Sequence, residues 1–368
     1  MRTLFLSALF ILSVLSNSCR KSNAGPSVDD NILNYKIEEV AVTEDYVVGS
    51  FYTNFANFNA NIPLTPVVGK YGMPNGVIDP AVMTQQITDA GKAKLDYFVF
   101  SFRSANLDNV NFKFDSTVIQ SFLNVNGSTN MKFALSYTWD AGKYGLTTAT
   151  PLEGNATKLA QFLDDVQRLS NLFANSNYMK VGGKILLFIR NAQVLYSNDN
   201  ISIYTTLRSQ LSAKGFQAYI VGMQDAWTPP ARYPFRFKGC VDAIYHDSYS
   251  KVTSWDRYYL LPQAMDQAWL YSKQYFSDNY AVDYVPNISP AFNPKINNPT
   301  TTNPVFPRSD SGVALFKQLC NVAKKNASTT TRLILIDSFN DWANGTELEP
   351  ATTYGDSYLT MVKSEFKK

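Results

Sequence analysis

The chain has 368 residues, a formal net charge of +3, three cysteines and one histidine. The near balance of charge, without a long basic run, argues against nucleic-acid binding, and three cysteines are too few for a disulfide scaffold. One histidine excludes a histidine-based metal cluster and no cysteine spacing indicates zinc, so we predict no cofactor, while a calcium site made of carboxylates stays open.

The N-terminus has the pattern of a bacterial lipoprotein signal. Arg2 supplies positive charge, residues 4–15 form an apolar run too short to span a membrane comfortably, and small residues lead to Cys19. We therefore predict a signal peptide over 1–18, lipid on Cys19 and a flexible tether over 19–45. The expected location is the bacterial cell envelope, anchored to the outer membrane. An ordinary secretory signal with an incidental cysteine is the alternative.

The rest of the chain, residues 46–368, alternates strand patterns with helix patterns. Asp79 and Pro80 form a capped helix start after the first strand. Strand-like segments fall at 46–55, 97–103, 132–139, 184–191, 216–225, 241–249, 284–292 and 332–340. Eight alternations predict an α/β fold, a single (β/α)8 barrel. An open doubly wound sheet would also alternate, but it usually carries a glycine-rich phosphate turn after its first strand, and none stands here.

The last predicted strand ends in a dense polar cluster. Its apolar run, 333–336, suits a strand that is covered on both faces. Carboxylates, amides and a tryptophan follow it: Asp337, Asn340, Asp341, Trp342, Asn344, Glu347 and Glu349. Because barrel enzymes carry their catalytic residues at the carboxyl ends of the strands, this cluster predicts a catalytic mouth. A strand followed by a solvated acidic loop is the simpler alternative.

The segment 339–351, FNDWANGTELEPA, resembles the FNEWxEGxxIEPA signature of glycoside hydrolase family 99 endo-α-mannosidases and of the related WbsX-type proteins. Its Asn340, Asp341 and Trp342 are also similar to a motif of the family 71 endo-α-1,3-glucanases. The resemblance implies a (β/α)8 barrel that acts on α-linked glycans. The two signature glutamates are replaced here by Asp341 and Asn344.

Polar and aromatic side chains also collect at the ends of the other predicted strands. A barrel gathers these strand ends at one mouth. Amides, carboxylates and arginines interleaved with flat aromatic faces suit a carbohydrate ligand. The predicted substrate-binding residues are Tyr52, Asn54, Arg103, Tyr137, Arg190, Tyr245, Asp247, Asn340, Trp342 and Asn344.

Hydrolysis of a glycosidic bond needs two carboxyl groups, one of them able to donate a proton. The resemblance implies that the first signature glutamate assists departure at the anomeric carbon and that the second is the acid/base. Asp341 keeps a carboxylate at the first position, whereas Asn344 cannot exchange a proton near neutral pH. We therefore predict Asp341 and Glu347 as catalytic residues, with Asp337 and Asp247 as alternatives to Glu347.

Two functions remain open from the sequence. The first is a membrane-anchored glycoside hydrolase acting on α-linked glycans. The second is a lipoprotein that keeps the barrel and its sugar cleft but binds without cleaving. A glycosyltransferase role, which the WbsX-type resemblance suggests, ranks lower because the chain has no evident nucleotide-diphosphate site. The expected partners are a carbohydrate and, through the lipid, a membrane.

We expect Cys19→Ser to release the protein from the membrane or to leave its signal uncleaved, because serine has no thiol to carry the lipid. Fractionation of cell envelopes from the wild type and the variant measures this, with Ser22→Ala as the control in the predicted tether. An efficiently processed Cys19→Ser protein that stayed in the membrane fraction would contradict the prediction.

Overall fold

The computed structural model describes residues 35–54, 58, 61–127, 129–252, 257–308 and 311–368. The predicted signal peptide, Cys19 and the tether up to residue 34 lie outside the described residues. In the described ranges no helix is both long and apolar enough to cross a membrane. Ile37–Lys368 forms one unit, and the last part of the predicted tether is fastened to it, because the Val40 backbone N donates to Asn321 Oδ1 over 2.8 Å.

The described chain alternates strands and helices as the sequence predicts. The strands are β1 Val47–Tyr52, β2 Tyr97–Phe102, β3 Lys132–Thr138, β4 Lys180–Val181, β5 Lys184–Arg190, β6 Ala218–Gln224, β7 Ala243–His246, β8 Asp283–Tyr284, β9 Asn287–Ile288 and β10 Leu333–Ile336. The helices are α1 Pro80–Lys92, α2 Asn109–Asn126, α3 Ala141–Tyr144, α4 Ala156–Arg168, α5 Ser170–Phe173, α6 Asn200–Ala213, α7 Pro234–Phe237, α8 Leu261–Tyr280, α9 Ser311–Asn326 and α10 Ser357–Phe366. The helix that connects β6 and β7, α7, has four residues.

The strands form a closed ring, in which the segment that carries β8 and β9 joins the two ends. Their order is β8-β7-β6-β5-β3-β2-β1-β10-β9 with parallel neighbours, while β4 is an antiparallel addition to β5. β8 and β9 belong to one extended segment: Val285 N donates to Ile244 O on one side over 2.8 Å, and Pro286 O accepts from Leu335 N on the other over 2.9 Å. This segment serves as a single barrel strand, so the predicted (β/α)8 barrel is confirmed.

Alternation of side chains along the strands produces two separate cores. The inner core fills the barrel and includes Phe51, Tyr97, Val99, Ala134, Leu186, Phe188, Val221, Met223, Ala243, Tyr245, Leu333 and Leu335. The outer core lies between strands and helices and includes Tyr52, Phe98, Phe100, Tyr137, Ile334 and Ile336. Cys240 and Cys320 are free thiols buried in this outer layer.

The helices start where the sequence supplies caps. Asp79 accepts a hydrogen bond from the backbone N of Ala81 over 2.8 Å at the start of α1, and Pro80 takes the first helical position. Asn155 and Asp199 cap α4 and α6 in the same way. Each cap satisfies a backbone N–H that has no partner inside its own helix.

The inner core is tight where β1 meets β2. Gly49 pairs with Tyr97 across the two strands, and a Cβ added at position 49 would overlap the Tyr97 ring. Tyr97 is fully buried, so its ring has little space to move into. Because Gly49 has no side chain, the Tyr97 ring can occupy the space inside the barrel.

We expect Gly49→Ala to lower the free energy of unfolding by about 1–3 kcal/mol, because an overpacked core must displace a buried ring. Gly91→Ala in α1 is the matched control: its Cβ would meet nothing within 4 Å, and alanine favours a helix over glycine. Chemical denaturation of both variants measures the difference. Equal midpoints for the wild type and Gly49→Ala would show that this contact does not constrain the barrel.

Candidate functional site

A cavity of about 370 Å³ opens at the carboxyl ends of the barrel strands. This is the end at which barrel proteins bind their ligands. The cavity is lined by Phe51, Tyr52, Thr53, Asn54, Ser101, Arg103, Asp115, Thr138, Arg190, Tyr245, Asp247, Lys251, Asp337, Asp341 and Asn344.

The two-residue repeat of the strands explains which side chains reach the cavity. On β2 the inward positions run from Val99 in the inner core to Ser101 and Arg103 at the mouth. On β7 they run from Tyr245 to Asp247. Each of these strands therefore ends in inward polar residues above an apolar inner core.

Eight of the predicted site residues border this cavity: Tyr52, Asn54, Arg103, Arg190, Tyr245, Asp247, Asp341 and Asn344. The hydroxyl of Tyr52 points away from the cavity, because it donates to Gln86 Oε1 over 2.7 Å in the outer layer. Four predicted residues do not line it: Tyr137, Asn340, Trp342 and Glu347.

Tyr137 takes an outward position on β3. Its hydroxyl donates to Asp165 Oδ2 over 2.9 Å and lies 2.8 Å from the Tyr144 hydroxyl. Alternation turns the next residue, Thr138, inward. Thr138, and not Tyr137, is thus the β3 residue that lines the cavity.

Asn340 and Trp342 fix the signature loop, residues 337–349: Asn340 joins it to the end of β1, and Trp342 braces it from within. The Asn340 side chain joins the loop to the end of β1, since its Oδ1 accepts from Thr53 N over 2.7 Å and its Nδ2 donates to Thr53 O over 3.2 Å. The Trp342 indole is buried, and its Nε1 donates to Glu349 Oε2 over 2.7 Å. Both residues position the loop and do not face the cavity.

Glu347, a member of the signature loop, does not line the cavity. Its side chain is fully buried, and its Oε1 lies 3.0 Å from Arg308 Nη2 and accepts from the Tyr354 hydroxyl over 3.2 Å. Burial raises the pKa of the Glu347 carboxyl to about 7, although Arg308 opposes the rise. Because this carboxyl does not border the cavity, the geometry does not place it where the predicted catalytic acid would be needed.

Asp341 and Asn344 face the cavity as a bonded pair. Asp341 Oδ1 accepts from the Asn344 backbone N over 3.1 Å, and its Oδ2 accepts from Asn344 Nδ2 over 2.7 Å. Asn344 Oδ1 accepts in turn from Asn297 Nδ2 over 3.0 Å. The two signature positions therefore hold a carboxylate and an amide that bind each other.

Lys251 lies in the loop after β7 and forms ion pairs with carboxylates of the cavity. Its Nζ lies 2.8 Å from both carboxylate oxygens of Asp337 and 3.8 Å from Asp341 Oδ2. Burial acts to lower the pKa of Lys251, but the attraction of Asp337, Asp341 and Asp247 outweighs burial and raises it. The sequence patterns did not indicate Lys251, because it lies beyond the last strand-like residue of its segment.

Asp115 of α2 holds two other cavity residues. It accepts from Arg103 Nε over 2.9 Å and from Arg103 Nη2 over 2.6 Å, a bidentate ion pair, and from Asn54 Nδ2 over 2.8 Å. Such paired hydrogen bonds fix the plane of the guanidinium. Sequence reasoning missed Asp115, since it lies inside a helix and carries no strand-end signal.

Arg190 and Asp247 keep their polar groups open to the cavity. Among the described residues, the Arg190 guanidinium has no hydrogen-bond or ion-pair partner. Burial acts to lower its pKa, but Asp247, Tyr245, Asp337 and Asp341 outweigh burial and raise it. Asp247 accepts a hydrogen bond from the Ser248 backbone N over 2.9 Å. In the part of the chain that the structure covers, no group of three or more metal-ligating side chains converges on one point.

The fold and this cavity together define a class: a (β/α)8-barrel protein with a polar pocket, its candidate ligand site, at the carboxyl ends of the strands. Within that class, residues 118–362 match the family described as Glycosyltransferase WbsX. The chain therefore belongs to the WbsX family, as its resemblance to that group indicated.

Solved structures agree with this assignment. A structure described as a glycoside hydrolase-like protein is 30% identical, with a TM-score of 0.81 over 92% of this chain and 99% of that one. Two structures of the GH99 endo-α-mannosidase from Bacteroides thetaiotaomicron share the fold at lower identity. One is 15% identical with a TM-score of 0.62 over 88% of this chain and 97% of that one, and the other is 16% identical with a TM-score of 0.59 over 88% and 96%. No curated protein matched the chain. The protein is thus glycoside hydrolase-like.

Glu349, the last acidic residue of the signature loop, is buried among neutral donors. It accepts from Gln86 Nε2 over 2.9 Å, from the Tyr71 hydroxyl over 2.7 Å and from Trp342 Nε1 over 2.7 Å. Burial raises the pKa of its carboxyl from 4.5 to about 7, although the three hydrogen bonds act to lower it.

We expect the free energy of unfolding to fall as the pH rises from about 4.5 to about 7, because the folded Glu349 keeps its proton through this range while the unfolded chain loses it. One proton contributes at most about 1.4 kcal/mol per pH unit, and nothing further above pH 7. Glu349→Gln should therefore show a smaller decline than the wild type in denaturation at several pH values. Glu38→Gln, at an exposed position, is the control, and an equal decline in all three proteins would contradict the assignment.

Proposed function

We propose that this protein binds an α-linked glycan in the cavity at the barrel mouth and does not cleave it by the two-glutamate route of family 99. The observation that carries the proposal is the pair formed by Asp341 and Asn344. An amide stands at the acid/base position, and its Nδ2 is bonded to the neighbouring carboxylate over 2.7 Å.

Glycan binding is supported by the chemistry of the cavity and by its relatives. Arg190 offers unused donors and Asp247 offers acceptor oxygens, while the buried Tyr245 borders the same pocket. Such a combination suits the hydroxyl groups and apolar faces of a sugar. The solved family 99 structures, named as endo-α-mannosidases, share this barrel, and the signature loop retains most of their motif.

The proposed lack of cleavage is supported by how two of the cavity carboxylates, Asp337 and Asp115, are occupied. General acid catalysis requires a carboxyl group that can hold and deliver a proton at the glycosidic oxygen. Asp337 has both oxygens at 2.8 Å from the Lys251 ammonium, and Asp115 is taken by Arg103. Neither carboxylate is therefore free to serve as the missing acid.

One observation favours a second candidate, a hydrolase with a relocated acid. Asp247 lines the cavity, and its contact among the described residues is a backbone N–H at 2.9 Å. It is thus the cavity carboxylate with the fewest competing bonds. Together with Asp341 it would supply the two carboxyl groups that hydrolysis needs.

Attachment to the cell envelope completes the proposal. The apolar run that ends at Cys19 supports lipid attachment, which would hold the barrel at a membrane surface. A binding protein there would meet polysaccharide outside the cytoplasm. The partners we propose are therefore a glycan at the mouth and a membrane at the N-terminus.

For the purified full-length protein we expect measurable binding of α-linked manno- or gluco-oligosaccharides without release of new reducing ends. Arg190→Gln should weaken binding about tenfold, since it removes charged donors that face the cavity. The double variant Asp341→Glu with Asn344→Glu should gain hydrolysis, because it restores the two carboxyl groups of the signature. Calorimetry measures the binding and a reducing-end assay measures the hydrolysis.

Arg168→Gln is the matched control for the arginine variant, because Arg168 is exposed on α4 and pairs with Asp164 on the same helix. Asp247→Asn separates the two candidates. Wild-type turnover that disappears in Asp247→Asn would replace the binding protein by the hydrolase. Absence of binding for every α-linked oligosaccharide tested would refute both.

A further inference from the structure

Trp227 is an exposed tryptophan in a protein that otherwise buries this residue type where the structure describes it. Its side chain is 38% exposed, whereas Trp139, Trp269 and Trp342 are at most 1% exposed. Leaving so large an apolar ring in water sacrifices the stabilisation that burial would bring. An exposed tryptophan ring also offers a flat surface on which a ligand can stack.

Trp227 stands on the loop after β6, at the end of the barrel where the cavity opens, and does not itself line the cavity. The Asp247 backbone N donates to Gln224 O over 2.9 Å, which ties the end of β6 to the residue that lines the cavity. The Trp227 ring lies against Tyr249, with 4.3 Å between the ring centroids. Tyr249 lies two residues after the cavity residue Asp247, so the Trp227 ring contacts the segment of chain that carries Asp247.

The loop holds Trp227 in a conformation that a bulky residue rarely adopts. Its φ is +59°, in the left-handed region. Gln224 Nε2 braces the loop by donating to Thr228 O over 3.2 Å and to Pro229 O over 3.1 Å. A strained residue that the surroundings hold firmly is often part of a functional site.

A polar group accompanies the ring. Asp225, two residues before Trp227, is exposed, and its Oδ1 accepts from Gln193 Nε2 over 2.7 Å. The buried Gln193 side chain fixes the carboxylate in place, and the other Asp225 oxygen has no hydrogen-bond partner among the described residues. A flat aromatic face and a fixed acceptor on the same loop suit the apolar face and the hydroxyl groups of a sugar.

We propose that Trp227 and Asp225 form a second sugar subsite, next to the cavity on the β6–β7 side, so that the ligand is an oligosaccharide of at least two units. This inference rests on the proposed glycan binding and adds the length and the direction of the ligand. One sugar occupies the cavity near Arg190 and Asp247. The adjoining sugar stacks on the Trp227 ring and hydrogen-bonds to Asp225.

The test compares ligand length across variants of the full-length protein. α-Linked mannose and glucose oligosaccharides of one to four units are titrated by calorimetry into the wild type, Trp227→Ala, Trp227→Phe and Asp225→Asn. Tyr271→Ala is the matched control, because Tyr271 is an aromatic residue of α8 with 58% exposure. Subtracting the emission of Trp227→Phe from that of the wild type isolates the fluorescence response of Trp227.

We expect the wild type to gain affinity from one unit to two, and Trp227→Ala to lose about tenfold in affinity for the longer ligands alone. Trp227→Phe should recover part of that loss, and Tyr271→Ala should bind as the wild type does. Oligosaccharides, and not monosaccharides, should change the Trp227 fluorescence.

Each other result overturns the inference in a distinguishable way. Undiminished binding of all lengths by Trp227→Ala, with binding lost in Arg190→Gln, would keep the glycan site and remove the second subsite. An equal loss for every length in both Trp227 variants, at an unchanged unfolding temperature, would place Trp227 in the first subsite. Absence of binding by the wild type at every length would remove the proposed function and the subsite together.

Discussion

Closure of eight parallel strands into a ring leaves each strand residue two directions, inward or outward, and this constraint decides what the protein presents to a ligand. Inward residues fill the barrel until the strands end, and the next inward positions become the mouth. Arg103 and Asp247 reach the cavity for this reason. Tyr137 is turned into the outer layer by the same rule, one residue away from Thr138.

Ion pairs then divide the mouth into fixed and open groups. Arg103 with Asp115 and Lys251 with Asp337 are partly buried ion pairs that fix each other's side chains, and together they form a frame at the mouth. Arg190 has no such partner among the described residues, so its guanidinium remains available to a ligand. A fixed frame around open donors is an arrangement that binds without first rearranging.

In the signature loop, the residues that maintain the shape of the loop are different from the two residues at the signature glutamate positions. Asp341 and Asn344 face the cavity, whereas Glu347 and Glu349 do not line it and are buried, held by Arg308, Tyr71 and Gln86. The motif therefore preserves the shape of the loop through its buried members. The residues at the signature glutamate positions have changed while the fold has not.

The sequence by itself determined the barrel and the order of its elements and indicated the mouth as the candidate site, because apolar runs, caps such as Asp79 and the signature motif are local patterns. Counting inward positions along each strand would also have separated Thr138 from Tyr137. Only the tertiary structure decided that Asp115 and Lys251 belong to the candidate site, that Glu347 does not line it and that Trp227 is exposed. Burial and ion pairing depend on which distant segments of the chain come into contact, and no local pattern in the sequence records those contacts.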